Sequence, residues 1–235
     1  MNSRNAFITG ATGSMGFEIS KSLMERGCNV FLTGRDAVVL DKNVEYLRKM
    51  GKGCAFGKSC DLSKTENIYS MISFAKEKFR DYSILINAAG IYTQKEILEL
   101  EDTEIMQSFN VNVFAPFVLT RELTKDMREK KWGRIVNIGS SSSYYGFKNG
   151  SLYCATKHAL LGFSKAVHED LKQHNVRSYF ISPSSTKGKM GRQTVGQDYE
   201  TFLDPVDIAR FVVFSISFES NIMTEEIFLK RMEVR

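Results

Sequence analysis

Short apolar runs alternate with longer amphipathic stretches along the whole chain. Residues 5–9, Asn-Ala-Phe-Ile-Thr, read as a buried strand, and apolar positions at Ile19, Leu23 and Met24 then take up the helical period. Further strands are expected at 29–33, 54–57, 83–86, 134–139, 176–182 and 227–229. Helices are expected at 39–50, 63–80, 114–130, 152–173 and 205–218. Ser63 is a candidate cap with Glu66 at the capping-box position, and Asp204 caps a helix that Pro205 opens. Such regular alternation predicts an α/β fold, a doubly wound parallel sheet with helices on both faces, in a single domain spanning 1–235.

Between the first strand and the first helix lies Gly10-Ala11-Thr12-Gly13-Ser14-Met15-Gly16. Glycines allow a sharp turn and close backbone approach, and the helix start offers free N–H groups to a pyrophosphate. The second strand ends in Gly34-Arg35-Asp36, where the same logic places an adenosine ribose. Arg35 suits the 2′-phosphate of NADP, whereas Asp36 either points to solvent or takes the free 2′-hydroxyl of NAD. The expectation is NADP(H) in preference to NAD(H). In a parallel sheet, ligands gather at the carboxyl ends of the strands, and Thr9, Asn87, Ser140 and Pro183 all fall there.

Tyr153 and Lys157, four residues apart, share one helix face. A free phenol titrates near ~10 and is a poor proton donor or acceptor at neutral pH. A cation within roughly 4–6 Å can lower that value by about 1–3 units. Any member of the run from Ser140 to Ser143 could be a plain loop residue.

On these residues the chain resembles the short-chain dehydrogenase/reductase family, in its compact, Rossmann-like single-domain branch. Thr9 to Gly16 is similar to the family's glycine turn, with Gly10, Thr12, Ser14, Met15 and Gly16 implied as cofactor contacts. Asp61-Leu62 resembles its adenine-contacting pair, and Asn87-Ala88-Ala89-Gly90 its Asn-Asn-Ala-Gly motif, implying contacts from Asp61, Leu62, Asn87, Ala88 and Gly90. Pro183-Ser184 stands where the family has Pro-Gly, which places Pro183 and Thr186 beside the nicotinamide. The resemblance implies a catalytic set of Asn112, Ser140, Tyr153 and Lys157. In it Tyr153 donates the proton, Ser140 orients the carbonyl, Lys157 lowers the Tyr153 pKa and holds the nicotinamide ribose, and Asn112 positions a water. Three departures stand out. Ser14 replaces the middle glycine, leaving a spacing like that of sugar-nucleotide epimerases; Ser184 replaces a glycine; and residues 225–235 are strongly charged.

The pattern is nearest to 3-oxoacyl-carrier-protein reductases. The two arginines with which those dock an acidic carrier would fall at Lys131 and His174. The expected substrate is a small-molecule or carrier-linked carbonyl. The alternatives are a non-catalytic dinucleotide sensor, or a reductase of a sugar-like or other small polar carbonyl. Residues 184–203 form the expected lid, rich in polar side chains such as Lys187, Lys189, Arg192 and Gln197. The resemblance also implies a dimer or tetramer. Apolar residues on the helices at 114–127 and 152–173 spread over more than one face, which agrees.

Composition changes little in this picture. The chain has 235 residues, 43% hydrophobic and 25% charged, enough for a full core. The formal charge of +5 comes with no nucleic-acid motif, and Arg128-Glu129-Lys130-Lys131 sits at a helix end, where cations complement the dipole. Cys28, Cys54, Cys60 and Cys154 lack metal or disulfide spacing, and no metal is expected from His158, His168 and His174. The first strand starts almost at once and no apolar run approaches the roughly 20 residues of a membrane span, so a cytoplasmic location without membrane contact is expected.

Overall fold

The apolar runs assemble into one parallel sheet of seven strands, ordered β3-β2-β1-β4-β5-β6-β7, in a computed structural model that describes residues 3–233. The strands are β1 (Asn5–Ile8), β2 (Asn29–Gly34), β3 (Ala55–Ser59), β4 (Ile84–Asn87), β5 (Gly133–Ile138), β6 (Val176–Pro183) and β7 (Glu226–Leu229). The helices are α1 (Ser14–Glu25), α2 (Ala37–Lys49), α3 (Thr65–Lys78), α4 (Asp102–Phe109), α5 (Ala115–Glu129), α6 (Ser151–Leu171) and α7 (Pro205–Ile216). Parallel strands buried on both faces need apolar side chains on both sides. Ala6, Ile8, Ile84, Ile86 and Val136 pack with α1, α2 and α7 residues such as Leu23, Leu40 and Val212. Phe7, Phe31, Leu85 and Ile135 point the other way, toward Met71, Leu119 and Leu160 of α3, α5 and α6. Register keeps these sets aligned, with Phe7 paired to Phe31 on one side and Leu85 on the other. Strand order reverses between β1 and β4, which opens a crevice at their carboxyl ends.

Two local expectations are corrected. Ser63 is not the cap of α3; Lys64 occupies that position without a side-chain bond. The Ser63 N–H and hydroxyl instead donate to Asp61 Oδ1, at 3.0 and 2.8 Å. The helix expected from Phe114 is the end of a longer assembly: α4, a π-helical turn over Asn110–Phe114, then α5. The eight residues of α4 leave most of their side chains open, so the periodic apolar signal was weak there. Its start instead has a capping box between Glu101 and Glu104. Asp204 does cap α7, accepting from Val206 N at 2.8 Å.

Candidate active site

The crevice is a cleft of about 1160 Å³ lined from the ends of β1, β2, β4, β5 and β6. Thr9 sets its floor. Its hydroxyl accepts from Ala88 N and Ala89 N, each at 3.1 Å, clipping the end of β1 to the loop after β4. Gly10 has φ +67°, and a Cβ there would lie 2.7 Å from Ala89 N. A Cβ on Gly16 would strike the Gly10 carbonyl. Only glycine fits either place. The cap of α1 is Gly13, which supplies no side-chain bond, so the first N–H groups of this helix face the cleft with no intrahelical acceptor. That bare, positive helix end fits a pyrophosphate.

Gly10, Thr12, Ser14, Met15, Gly16, Arg35, Leu62, Ala88, Gly90, Pro183 and Thr186 all line the cleft. Ser14, the departure from the family turn, donates its hydroxyl to the Lys187 carbonyl at 2.9 Å and so ties the glycine turn to the lid. Asp36 lines the cleft as well, and its Oδ1 accepts from Val39 N at 3.0 Å, capping α2. Asp61 is not among the lining residues. Hydrogen bonds from Ser63 hold its carboxylate below the usual range. Asn87 also lies outside the lining, buried beneath it, and donates from Nδ2 to Asn137 Oδ1 at 2.8 Å.

Ser140, Tyr153 and Lys157 meet at the centre of the cleft. Ser140 follows β5 and stands beside Tyr153, whose pKa it pulls down. Its hydrogen bonds are local: its hydroxyl donates to Ser142 Oγ at 3.2 Å and accepts from Ser142 N at 3.1 Å, while Ser143 Oγ takes the Ser140 N–H. Tyr153 and Lys157 stand one turn apart on α6, both buried. The charge balance differs from the expectation that Lys157 lowers the Tyr153 pKa. Burial pushes Tyr153 up to about 12, against a smaller downward pull from Ser140. Burial likewise pushes Lys157 down to about 8. The ammonium donates to the Ile138 carbonyl at 2.8 Å and lies 5.8 Å from the centre of the Tyr153 ring. Desolvation therefore outweighs the attraction between the two groups.

Asn112 sits in the π-helical turn, outside the cleft lining and buried. Its Oδ1 accepts from Ile91 N at 2.7 Å, and its Nδ2 donates to Ile91 O at 2.9 Å and Thr156 Oγ1 at 3.0 Å. Both amide hydrogens are spent on protein, so the side chain clamps the loop after β4 to α6.

The segment expected to be a lid, 184–203, contains two short 3-10 turns, and its residues 184–191, 193–195 and 197 line the cleft. Tyr199 OH accepts from Gly188 N at 2.9 Å, and Lys187 pairs with Glu200 at 3.2 Å. The charged tail has a use that spacing did not reveal. Arg231 donates to Thr201 Oγ1 at 2.9 Å and Gln197 Oε1 at 2.8 Å, holding the lid from outside. Val234 and Arg235 of that tail lie outside the described residues. Also unanticipated are Tyr92, Gln94, Tyr145 and Phe147 in the lining. They belong to no motif, and only their place after the Asn87 and Ser140 motifs could have pointed to them. Among the described residues no group of three His, Cys, Asp or Glu could hold a metal ion, and no helix is long and apolar enough to cross a membrane.

Comparison with known proteins agrees with this geometry. The short chain dehydrogenase family model matches residues 4–198. The uncharacterized oxidoreductase YvrD of Bacillus subtilis is 32% identical over 203 residues, covering 83% of this chain and 76% of the relative. A 3-oxoacyl-[acyl-carrier-protein] reductase of Buchnera aphidicola is 28% identical over 211 residues, covering 90% and 85%. A metagenomic short-chain oxidoreductase solved in complex with NADP superposes with a TM-score of 0.86 at 26% identity, covering 99% of this chain and 98% of that one. The chain belongs to the short-chain dehydrogenase family and is an oxidoreductase of that family with a Rossmann-like fold and a nicotinamide cofactor.

Proposed function

We propose that this enzyme reduces a carbonyl compound with NADPH, adding hydride to the carbonyl carbon and a proton to its oxygen. The observation that carries this reading is that Ser140, Tyr153 and Lys157 line the same cleft as a bare helix N-terminus. Bound nicotinamide supplies the hydride. The side chains do the rest. Tyr153, held at about 12, keeps its proton at neutral pH and so suits donation to an oxygen that gains charge. Ser140 aims a second hydrogen bond at the same oxygen. Lys157 contributes a buried amine beside them, placed to hold a ribose hydroxyl. Asn112 has no amide hydrogen left for a water, so a water relay there would use its main-chain carbonyl.

NADP is favoured over NAD because Arg35 lines the cleft, and the neighbouring Asp36, which lines it too, has Oδ1 engaged as a helix cap. A carrier-linked acyl substrate draws support from a second, surface cleft of about 370 Å³ lined by Lys125, Arg128, Glu129 and His174, a mainly basic place for an acidic carrier.

The test is Tyr153→Phe, which removes one hydroxyl. Carbonyl-dependent NADPH oxidation should fall about 10²–10⁴-fold while NADPH binding, measured by calorimetry, stays close to wild type. A variant retaining over half of wild-type kcat on a confirmed substrate removes Tyr153 from the role. A wild-type protein that binds NADPH and turns over nothing in a broad carbonyl panel would instead be a sensor.

A further inference from the structure

We propose that Tyr92 is a specificity-determining residue, the centre of an aromatic wall with Tyr145 and Phe147 that selects carbonyl substrates bearing a flat ring. The inference deepens the carbonyl-reductase reading and rests on it.

Tyr92 is held firmly. Asn112 binds both the N–H and the carbonyl of Ile91, immediately before it. Lys95 N donates to Asn149 O at 2.8 Å, three residues after it. Between these anchors the Tyr92 ring stands edge-on to the Tyr153 ring, centroids 5.0 Å apart at 75°. Its hydroxyl donates to Gln94 Oε1 at 2.8 Å. Phe147 lies nearly parallel to it, at 11° and 6.3 Å. Tyr145, 59% exposed, and Phe147, 37% exposed, open apolar area toward the same cleft.

Large aromatic faces left open inside a ligand cleft are apolar surface awaiting a partner. Near-parallel faces gain most from a flat group, which meets every ring atom at contact distance; a short flexible chain meets few. The wall begins against Tyr153, so a ring bonded directly to the reacting carbonyl would lie along it. Gln193 and Thr194 add polar groups to the same lining, beside Met190 and Val195. The class that fits this lining is an aryl or similar flat cyclic ketone with a polar edge.

Diacetyl and its analogue with one methyl replaced by phenyl present the same reacting diketone on different bodies. We expect wild type to favour the phenyl compound in kcat/KM. Tyr92→Leu, which keeps apolar volume without a flat face, should reduce the ratio of phenyl to methyl kcat/KM about tenfold, chiefly through KM, and Tyr92→Phe should keep it. On the inactive Tyr153→Phe background, the calorimetric Kd for the phenyl diketone in the presence of NADPH should rise about tenfold when Tyr92→Leu is added. An unchanged ratio in Tyr92→Leu, an equal drop in Tyr92→Phe, or a wild type that reduces other carbonyls but not the phenyl diketone would overturn the inference. Failure of wild type to oxidise NADPH with any carbonyl would strike the functional reading itself.

Discussion

Tyr153 and Lys157 show how far one side chain's behaviour depends on its surroundings. An ordinary lysine titrates near ~10.4, and Lys157 at about 8 because burial penalises its charge. Between those two values the unfolded chain binds a proton that the folded chain has released. The Lys157 contribution to stability therefore rises with pH across that window, by up to about 3 kcal/mol. Below it both states are charged and the full cost of burying the ammonium is felt. Lys157→Met lacks this titration, so its stability advantage over wild type should shrink between about pH 8 and about pH 10.4, read from urea unfolding. A gap that stays constant contradicts the assignment. Arg35 supplies a second test at this scale. Its guanidinium at the cleft should favour NADPH over NADH, and Arg35→Ala should erase most of a roughly ten- to hundred-fold preference. Equal wild-type dissociation constants for the two cofactors would defeat that reading. Both residues were legible from spacing and position along the chain. The direction of the Tyr153 shift was not, since it depends on how deeply the whole fold buries α6.

Among the elements, α7 has an unusual end. Arg134 of β5 is fully buried, and its Nη2 donates to Phe218 O at 3.0 Å and its Nε to Ile216 O at 3.3 Å. Nη1 reaches Gly133 O at 2.9 Å and Asn175 O at 3.3 Å. Burial lowers the guanidinium to about 10, still charged at neutral pH. Arg177 adds bonds to Ser220 O and Ile222 O, so two strand arginines satisfy the last carbonyl of α7, Ile216 O, and those of the segment that follows it. Arg134→Ala strips several of those carbonyls at once. We expect a loss of about 3–5 kcal/mol, seen as a lower urea midpoint with an unchanged slope. A loss under about 1 kcal/mol would mean that water replaces the guanidinium without penalty. The start of this helix was readable from Asp204-Pro205, a local signal. Its end was not, because the satisfying groups lie about eighty residues upstream.

For the whole molecule, the open apolar area is smaller than the helix patterns implied. On α6, Leu160, Phe163, Val167 and Leu171 all turn into the core, leaving Leu161 half-buried and Ala166 exposed. On α5, Val118, Leu119, Leu123 and Met127 are likewise internal. What remains outside is Phe114 at 45% and Phe117 at 47% exposure, joined by Met106 and Phe109 from α4. Phe117 stacks on the buried Phe163 of α6 with ring centroids 3.8 Å apart, which fixes the exposed ring in place. Contiguous exposed aromatics of this kind are a self-association surface in symmetric oligomers. The protein should be at least a dimer in solution by light scattering, and Phe117→Glu should shift it toward the 26.7 kDa monomer. A wild type with monomer mass and full activity would refute the argument.

Read alone, the chain settles whatever rests on local pattern. Strand and helix alternation follows from side-chain period. The glycine turn follows from backbone sterics, and the Tyr153–Lys157 pair from one helical repeat. Family spacing then selects Ser140 from its run. Tertiary structure decides what depends on partners remote in sequence. Asn112 is committed to Ile91 and Thr156, Asp61 is bonded by Ser63, and Arg231 reaches back to Thr201. The aromatic wall at Tyr92 and the burial that parts the Tyr153 and Lys157 pKa values belong to the same group. The physical reason is common to them all. Hydrogen-bond partners and desolvation are set by which distant segments pack together, and no periodicity along the chain encodes that directly.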